Sequence, residues 1–168
     1  MNTANQGDVV VGVDGSAVSL AALRWALSEA RASGRTVVAV RAWTFDPFAD
    51  FASAAVRSPV ERAALQRREL ESEVADALAE VGETQVRVEA IDGAAGPVLV
   101  RLAEDAAMLV VGSHGHGRLL RLLVGSVSAY CLRKAHCPVV ILPAGTVEEP
   151  EAALEAETAG NYYPGPLL

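Results

Sequence analysis

The chain contains aliphatic runs too short to be buried helices and too apolar to be exposed strands. Val9 to Val13 is broken only by Gly12, and AAMLVVG (106–112) is a second run of the kind. A short β-branched run bounded by turn residues reads as a strand buried on both faces, the condition of a strand inside a parallel sheet covered by helices. The intervening segments carry helical spacing. SAVSLAALRWALSEARASG (16–34) places Leu20, Leu23, Leu27 and Ala30 on one face, with Ser16 as candidate N-cap and Gly34 as C-cap. SPVERAALQRRELESEVADALAEVG (58–82) opens on a capping box, Ser58 to Glu61, with Pro59 at the first helical position. Leu70, Val74, Leu78 and Val81 share its apolar face, and Gly82 ends it.

RTVVAVRAW (35–43) and CPVVILPA (137–144) are further strands, and TQVRVEAID (84–92) alternates as a half-exposed strand near a sheet edge would. GPVLVRLAEDA (96–106) reads as a short helix with Pro97 at its start, and a last helix is expected from about Ser126 to Lys134. Strict β-α alternation implies a parallel sheet with helices on both faces. Right-handed crossovers then favour a five-stranded doubly wound α/β sheet in the order 3-2-1-4-5.

The 168 residues fit one domain with ends. The expected division is a disordered N-terminus over 1–7, a folded domain over 8–145, and an acidic, disordered tail over 146–168. Five Glu fall after Val147 and account for most of the net charge of -7. That balance argues against general nucleic-acid binding, which shows a basic excess. No leader pattern and no apolar stretch of about 20 residues is present, so no membrane association is expected. The two cysteines suit a reducing compartment, and a cytoplasmic location is expected. Cys131, His136 and Cys137 match no zinc spacing, so Cys131 and Cys137 read as structural thiols.

The connection after the fourth strand is the feature a plain fold does not need. From Gly112 to Ser126 it has Gly112, Gly115, Gly117 and Gly125, with His114 and His116 among them. An ordinary strand-to-helix turn takes about 2–6 residues. In a 3-2-1-4-5 sheet the ends of strands one and four are neighbours at the switch point, so the VDGS turn at Asp14 and the glycine loop would face one crevice. Backbone N–H groups of such a loop, with the next helix N-terminus, make an anion site, and Ser126 adds a hydroxyl. No Asp or Glu occurs from Ser113 to Val147, while Arg118, Arg121, Arg133 and Lys134 do, which suggests a local positive field. The P-loop pattern is excluded because no Lys lies near the loop, and His114 and His116 are spaced H-x-H rather than H-x-G-H.

At these residues the chain resembles the universal stress protein family. Its nucleotide-binding members carry G-x2-G-x9-G-[S/T], matched here by Gly112, Gly115, Gly125 and Ser126. The likeness extends over VVVGVDGS, GPVLVRLAEDAAMLVVGSHG and CPVVILP, from about residue 8 to 143. It implies a flavodoxin-like α/β sandwich, of the adenine nucleotide alpha hydrolase-like type, that binds ATP, with Mg2+ accompanying the nucleotide. Carried over by position, Gly112, Gly115, Gly125 and Ser126 would hold ribose and phosphates, with His116, Gly117 and Val127 beside them. Asp14 would sit at the ribose or phosphate-metal end. The backbone around Gly12, Val13 and Ala42 would meet the adenine.

The resemblance also implies a homodimer through the strand 138–143, a regulatory protein partner of unknown identity, and a lid is expected over 44–57. Two functions stay open. One is an ATP-binding switch in stress response without catalytic residues; the alternative is a slow ATPase or nucleotidyl-transfer enzyme on the same fold.

Overall fold

The computed structural model describes residues 7–46, 58–113 and 125–143. Its elements run β1 (Val9–Gly12), α1 (Ala17–Ser33), β2 (Val37–Trp43), α2 (Pro59–Val81), β3 (Val86–Asp92), α3 (Ala95–Leu102), β4 (Met108–Gly112), α4 (Ser126–Lys134) and β5 (Val139–Leu142). The five strands form one sheet in the order β3-β2-β1-β4-β5, every pair parallel. The doubly wound α/β architecture expected from the alternation is therefore the one observed.

The strand pattern explains the layering. Side chains alternate between faces along each strand. Val9, Val11 and Val13 turn toward α1 and α2, joined there by Leu23, Leu27, Leu70 and Val74. Val10, Val38, Val40, Leu109 and Val111 turn the other way and pack with Leu99, Leu102 and Cys131 of α3 and α4. β1 lies at the centre with Val9, Val10 and Val11 fully buried, as its unbroken apolar run required. β3 is an edge strand and only its Ile91 is buried, in keeping with its alternation of polar and apolar residues.

The helix ends follow the local chemistry. The Ser16 hydroxyl accepts from the Ser19 N–H, and Gly34 takes the left-handed conformation (φ 67°, ψ 32°) that closes α1. Ser58 accepts from the Glu61 N–H ahead of Pro59. α3 starts at Ala95 rather than at Pro97, with Ala94 as a cap that offers no side-chain acceptor. Pro97 still lies in the first turn, where a missing N–H costs nothing.

Candidate functional site

The carboxyl ends of β1, β2 and β4 meet at the switch point. β1 pairs with β2 on one side and β4 on the other, so the chains leaving Gly12 and Gly112 flank a common opening. The β1–β2 register ends at the pair Gly12–Val40, earlier than the expected end at Asp14, although the Val13 N–H still donates to the Val40 carbonyl at 2.9 Å.

Asp14 is exposed and begins a tight polar turn. Its Oδ1 accepts from the Ser16 N–H at 3.0 Å and from the Ser16 hydroxyl at 2.6 Å. Asp14 thus orients the cap of α1 without being that cap. Its own N–H donates to the Ser19 hydroxyl at 3.2 Å, and that hydroxyl donates to the Ser16 carbonyl at 2.9 Å. Gly15 makes the turn possible at φ 84°, a backbone conformation that glycine adopts without penalty.

On the far side of the opening, Ser113 continues the chain from β4. Its carbonyl accepts two bonds, from the Gly125 N–H at 2.6 Å and from the Ser128 hydroxyl at 3.1 Å. The same hydroxyl lies 3.0 Å from the Gly125 carbonyl. Residues 113 and 125, the two ends of this connection, are therefore joined directly to each other. α4 starts directly from this stitch. Its N-cap Gly125 has no side chain to offer, so the first-turn N–H groups at Ser126 and Val127 lack a side-chain cap among the described residues. Ser126 and Val127 are both exposed there.

Gly125 has φ −62°, so no left-handed conformation explains a glycine there, and its amide is already spent on Ser113. Gly12 is glycine for packing: a Cβ would lie 2.9 Å from Leu99 Cδ1 and 3.6 Å from Val111 Cγ1. Arg133 and Lys134 fall in the last turn of α4. At about 1.5 Å per residue they lie on the order of 12 Å from Ser126 and suit the helix C-terminus, not the opening. The positive field thus comes down to Arg118 and Arg121, which lie outside the described residues, as do His114, Gly115, His116 and Gly117. Residues 47–57 of the expected lid, the N-terminal 1–6 and the tail from 144 onward also lie outside them.

Ala42 and Gly12 share the α3-side face of the sheet, and Ala42 packs against that core. Cys131 is fully buried among the same residues, and burial pushes its thiol up to about 11. Burial raises Cys137 as well. Among the described residues no cluster of His, Cys, Asp or Glu could hold a metal ion, and no helix is long and apolar enough to cross a membrane.

Four residues at the opening escaped the sequence reading: Gly15, Ser19, Arg41 and Ser128. Arg41 left a signal, a lone charge within the otherwise apolar VVAVRAW. Ser128 left none, because its partner is 15 residues upstream.

A parallel five-stranded sheet in the order β3-β2-β1-β4-β5, with helices on both faces and a switch point between the β1 and β4 ends, defines a doubly wound α/β domain. Residues 7–143 match the universal stress protein family, and the chain belongs to it. The universal stress protein Rv1996 of Mycobacterium tuberculosis is 30% identical over 161 residues, an alignment covering 86% of this chain and 49% of that protein. This chain spans about half the length of the curated relatives it matches. Among solved structures, a universal stress protein in complex with cAMP is 30% identical and superposes with a TM-score of 0.57, covering 83% of this chain and 98% of that one. The universal stress protein of Archaeoglobus fulgidus in complex with dAMP shares the fold at 23% identity and a TM-score of 0.57, covering 81% and 97% of the two chains.

Proposed function

We propose that the chain is a nucleotide-dependent regulatory switch that binds ATP, with Mg2+, across Asp14, Ala42 and the loop from Gly112 to Ser126. The observation that carries this reading is the stitched base of the loop, which aims an α4 N-terminus without a side-chain cap at the same opening as the Asp14 turn. Phosphates suit such N–H groups because the helix dipole and unpaired donors act together. Nucleotide-bound Mg2+ keeps most of its waters and asks for one or two carboxylates, a demand the exposed Asp14 fits. Gly115, His116 and Gly117 would complete the phosphate side. A second reading, cAMP as the resident ligand, is favoured by the 30% identical relative solved with it.

Thermal unfolding against ATP–Mg2+, cAMP and GTP decides between them. A ligand at about 100 times its dissociation constant should stabilise the protein by ~2.7 kcal/mol. The ATP reading predicts that ATP–Mg2+ gives the largest shift. Equal melting with and without saturating ATP would sink it, and a shift with cAMP alone would replace it. Turnover of bound ATP over hours would move the protein to the slow-ATPase alternative.

The reading includes a cytoplasmic homodimer through β5. Among the described residues β5 is an edge strand, and a second copy would match the doubled length of the relatives. The Pro138 and Leu142 carbonyls both point to β4, so Val139 and Ile141 turn their backbone groups outward. Val140 packs on the α1-side core, so a lysine there would disturb the monomer as well. Ile141→Pro removes an outward N–H and leaves the β4 ladder alone; because Ile141 packs on the α3-side core, Ile141→Ala, which keeps the N–H, is its control. Sedimentation should show the wild type as a dimer and Ile141→Pro shifted to monomer; a wild type sedimenting at 17.5 kDa would end this part of the reading.

A further inference from the structure

Arg41 lies near the carboxyl end of β2, with its side chain on the α2 side of the sheet and only 6% exposed. Nη1 and Nη2 reach Glu69 and Glu73 of α2 at 3.2 and 2.6 Å. A buried guanidinium with two carboxylates explains its own burial, because the pairing offsets the lost hydration. It does not explain the third bond. The Nε–H donates to the Val13 carbonyl at 3.2 Å, across to the next strand.

That carbonyl is the next acceptor in the β1–β2 ladder. Alternate residues of a parallel strand turn their N–H and C=O groups to alternate neighbours. The Val40 carbonyl faces β1, where it accepts from Val13, and the Trp43 carbonyl faces β3, where it accepts from Gly93. Ala42, two residues beyond Val40, therefore turns both its peptide groups toward the β1 side. A ladder continued by one step would close the Ala42 N–H onto the Val13 carbonyl. The pairing instead stops at Gly12–Val40, and Arg41 holds that carbonyl.

We infer that Arg41 is a positioning residue of the nucleotide site. By engaging the Val13 carbonyl, it stops the β1–β2 ladder from closing over the opening. It thereby keeps the Ala42 N–H and C=O as a donor and acceptor for a base edge that carries an acceptor beside a donor, as adenine does at N1 and N6. This rests on the nucleotide reading above for its ligand, but not for the state of the Ala42 amide in the free protein.

Two variants separate this role from that of an ion-pair strut. In Arg41→Gln the amide Nε2 stands as many bonds from the backbone as Arg Nε, so the Val13 contact is restored while both carboxylate pairs are lost. In Arg41→Met that position is a methyl group, and both are lost. Amide exchange is read by NMR on the nucleotide-free full chain, and ATP affinity by calorimetry.

In the wild type, Ala42 should exchange at least about tenfold faster than Val40, as an amide outside the ladder does. Arg41→Met should slow Ala42 toward Val40 and weaken ATP about tenfold, the worth of one hydrogen bond. Arg41→Gln should recover fast Ala42 exchange and most of the lost affinity. A wild-type Ala42 as protected as Val40 overturns the inference, as do Gln and Met variants that lose affinity together. If Arg41→Met does not fold, the wild-type and Gln exchange rates decide alone. A wild type that binds no ATP overturns the nucleotide reading, and the exchange rates still decide whether Arg41 holds the ladder open.

Discussion

The two sides of the opening are built by different means. On the β1 side, side chains do the holding: Asp14 locks Ser16, Ser19 takes the Asp14 N–H, and Arg41 takes the Val13 carbonyl. On the β4 side, main chain does it: one carbonyl, that of Ser113, gathers the amide of Gly125 and the hydroxyl of Ser128. A side-chain scaffold fixes the position of a few atoms and leaves neighbouring peptide groups available. A main-chain stitch fixes the two ends of a long connection without using the side chains between them. A base edge asks for the first and a polyphosphate for the second.

The β4 side depends on α4 lying close to α3, and this is where the largest effect is expected. A Cβ on Gly96 would stand 2.7 Å from Tyr130 Cδ1 and 2.9 Å from its Cγ. Gly96→Ala gains about 1 kcal/mol of helix propensity, but overpacking of this kind costs about 1–3 kcal/mol. Relief by outward movement of α4 would shift Ser126 and strain the Ser113 stitch. We expect a net loss of about 1 kcal/mol, and at most about 2, in chemical denaturation, with weaker ATP binding. Tyr130→Ala in the Gly96→Ala background should return part of the stability. If Gly96→Ala alone is neutral, close α3–α4 packing is not what holds the β4 side.

Much of this architecture was legible in the sequence, because it rests on local signals. The strand order followed from alternation and handedness, and Ser16, Gly34 and Ser58 announced their caps within three or four residues. The glycine spacing pointed to a loop with a purpose. What stayed hidden depends on contacts between distant segments. Nothing near Gly12 says that Leu99, on another element, fills the space a side chain would need. Nothing near Arg41 names Val13 as its partner, and the segment around Arg133 gives no sign that helix direction carries its charge away from the opening. Local chemistry writes itself into neighbours; register and helix packing do not.

The α4 core offers a second, smaller test. Cys131 is buried and its thiol is pushed up to about 11 from the usual 9.0. Below pH 9 the thiol is neutral in both folded and unfolded chains, and its contribution to stability is fully present. Between about pH 9 and 11 the unfolded chain gives up the proton first, so stability falls with rising pH, by up to about 2 kcal/mol. The difference between wild type and Cys131→Ala, followed from pH 8 to 11, should shrink by that amount. A difference that stays constant would show that Cys131 ionises as readily in the folded protein. Since Cys131 is fully buried and Cys137 only partly so, alkylation at neutral pH should reach Cys137 first.

The finest comparison sets one hydroxyl against another. Ser16 serves the β1 side as cap of α1 and partner of Asp14. Ser128 serves the β4 side as the second donor to Ser113. Each alanine variant should cost about 1 kcal/mol of stability, the usual worth of a cap or a single hydrogen bond. Their effects on ligand should differ in kind. Ser128→Ala loosens the loop base, so it should weaken ATP more than adenosine, because the loss falls on phosphate contacts. Ser16→Ala removes the hydroxyl bond to Asp14 and leaves the one from the Ser16 N–H, so the carboxylate is held less firmly and the effect on ATP should grow when Mg2+ is present, where that carboxylate is asked to face the metal-bound phosphates. Calorimetry with ATP and adenosine, each with and without Mg2+, reads both contrasts. If the two variants change all four affinities by the same factor, the two sides do not divide the ligand between them, and the opening acts as one undifferentiated site.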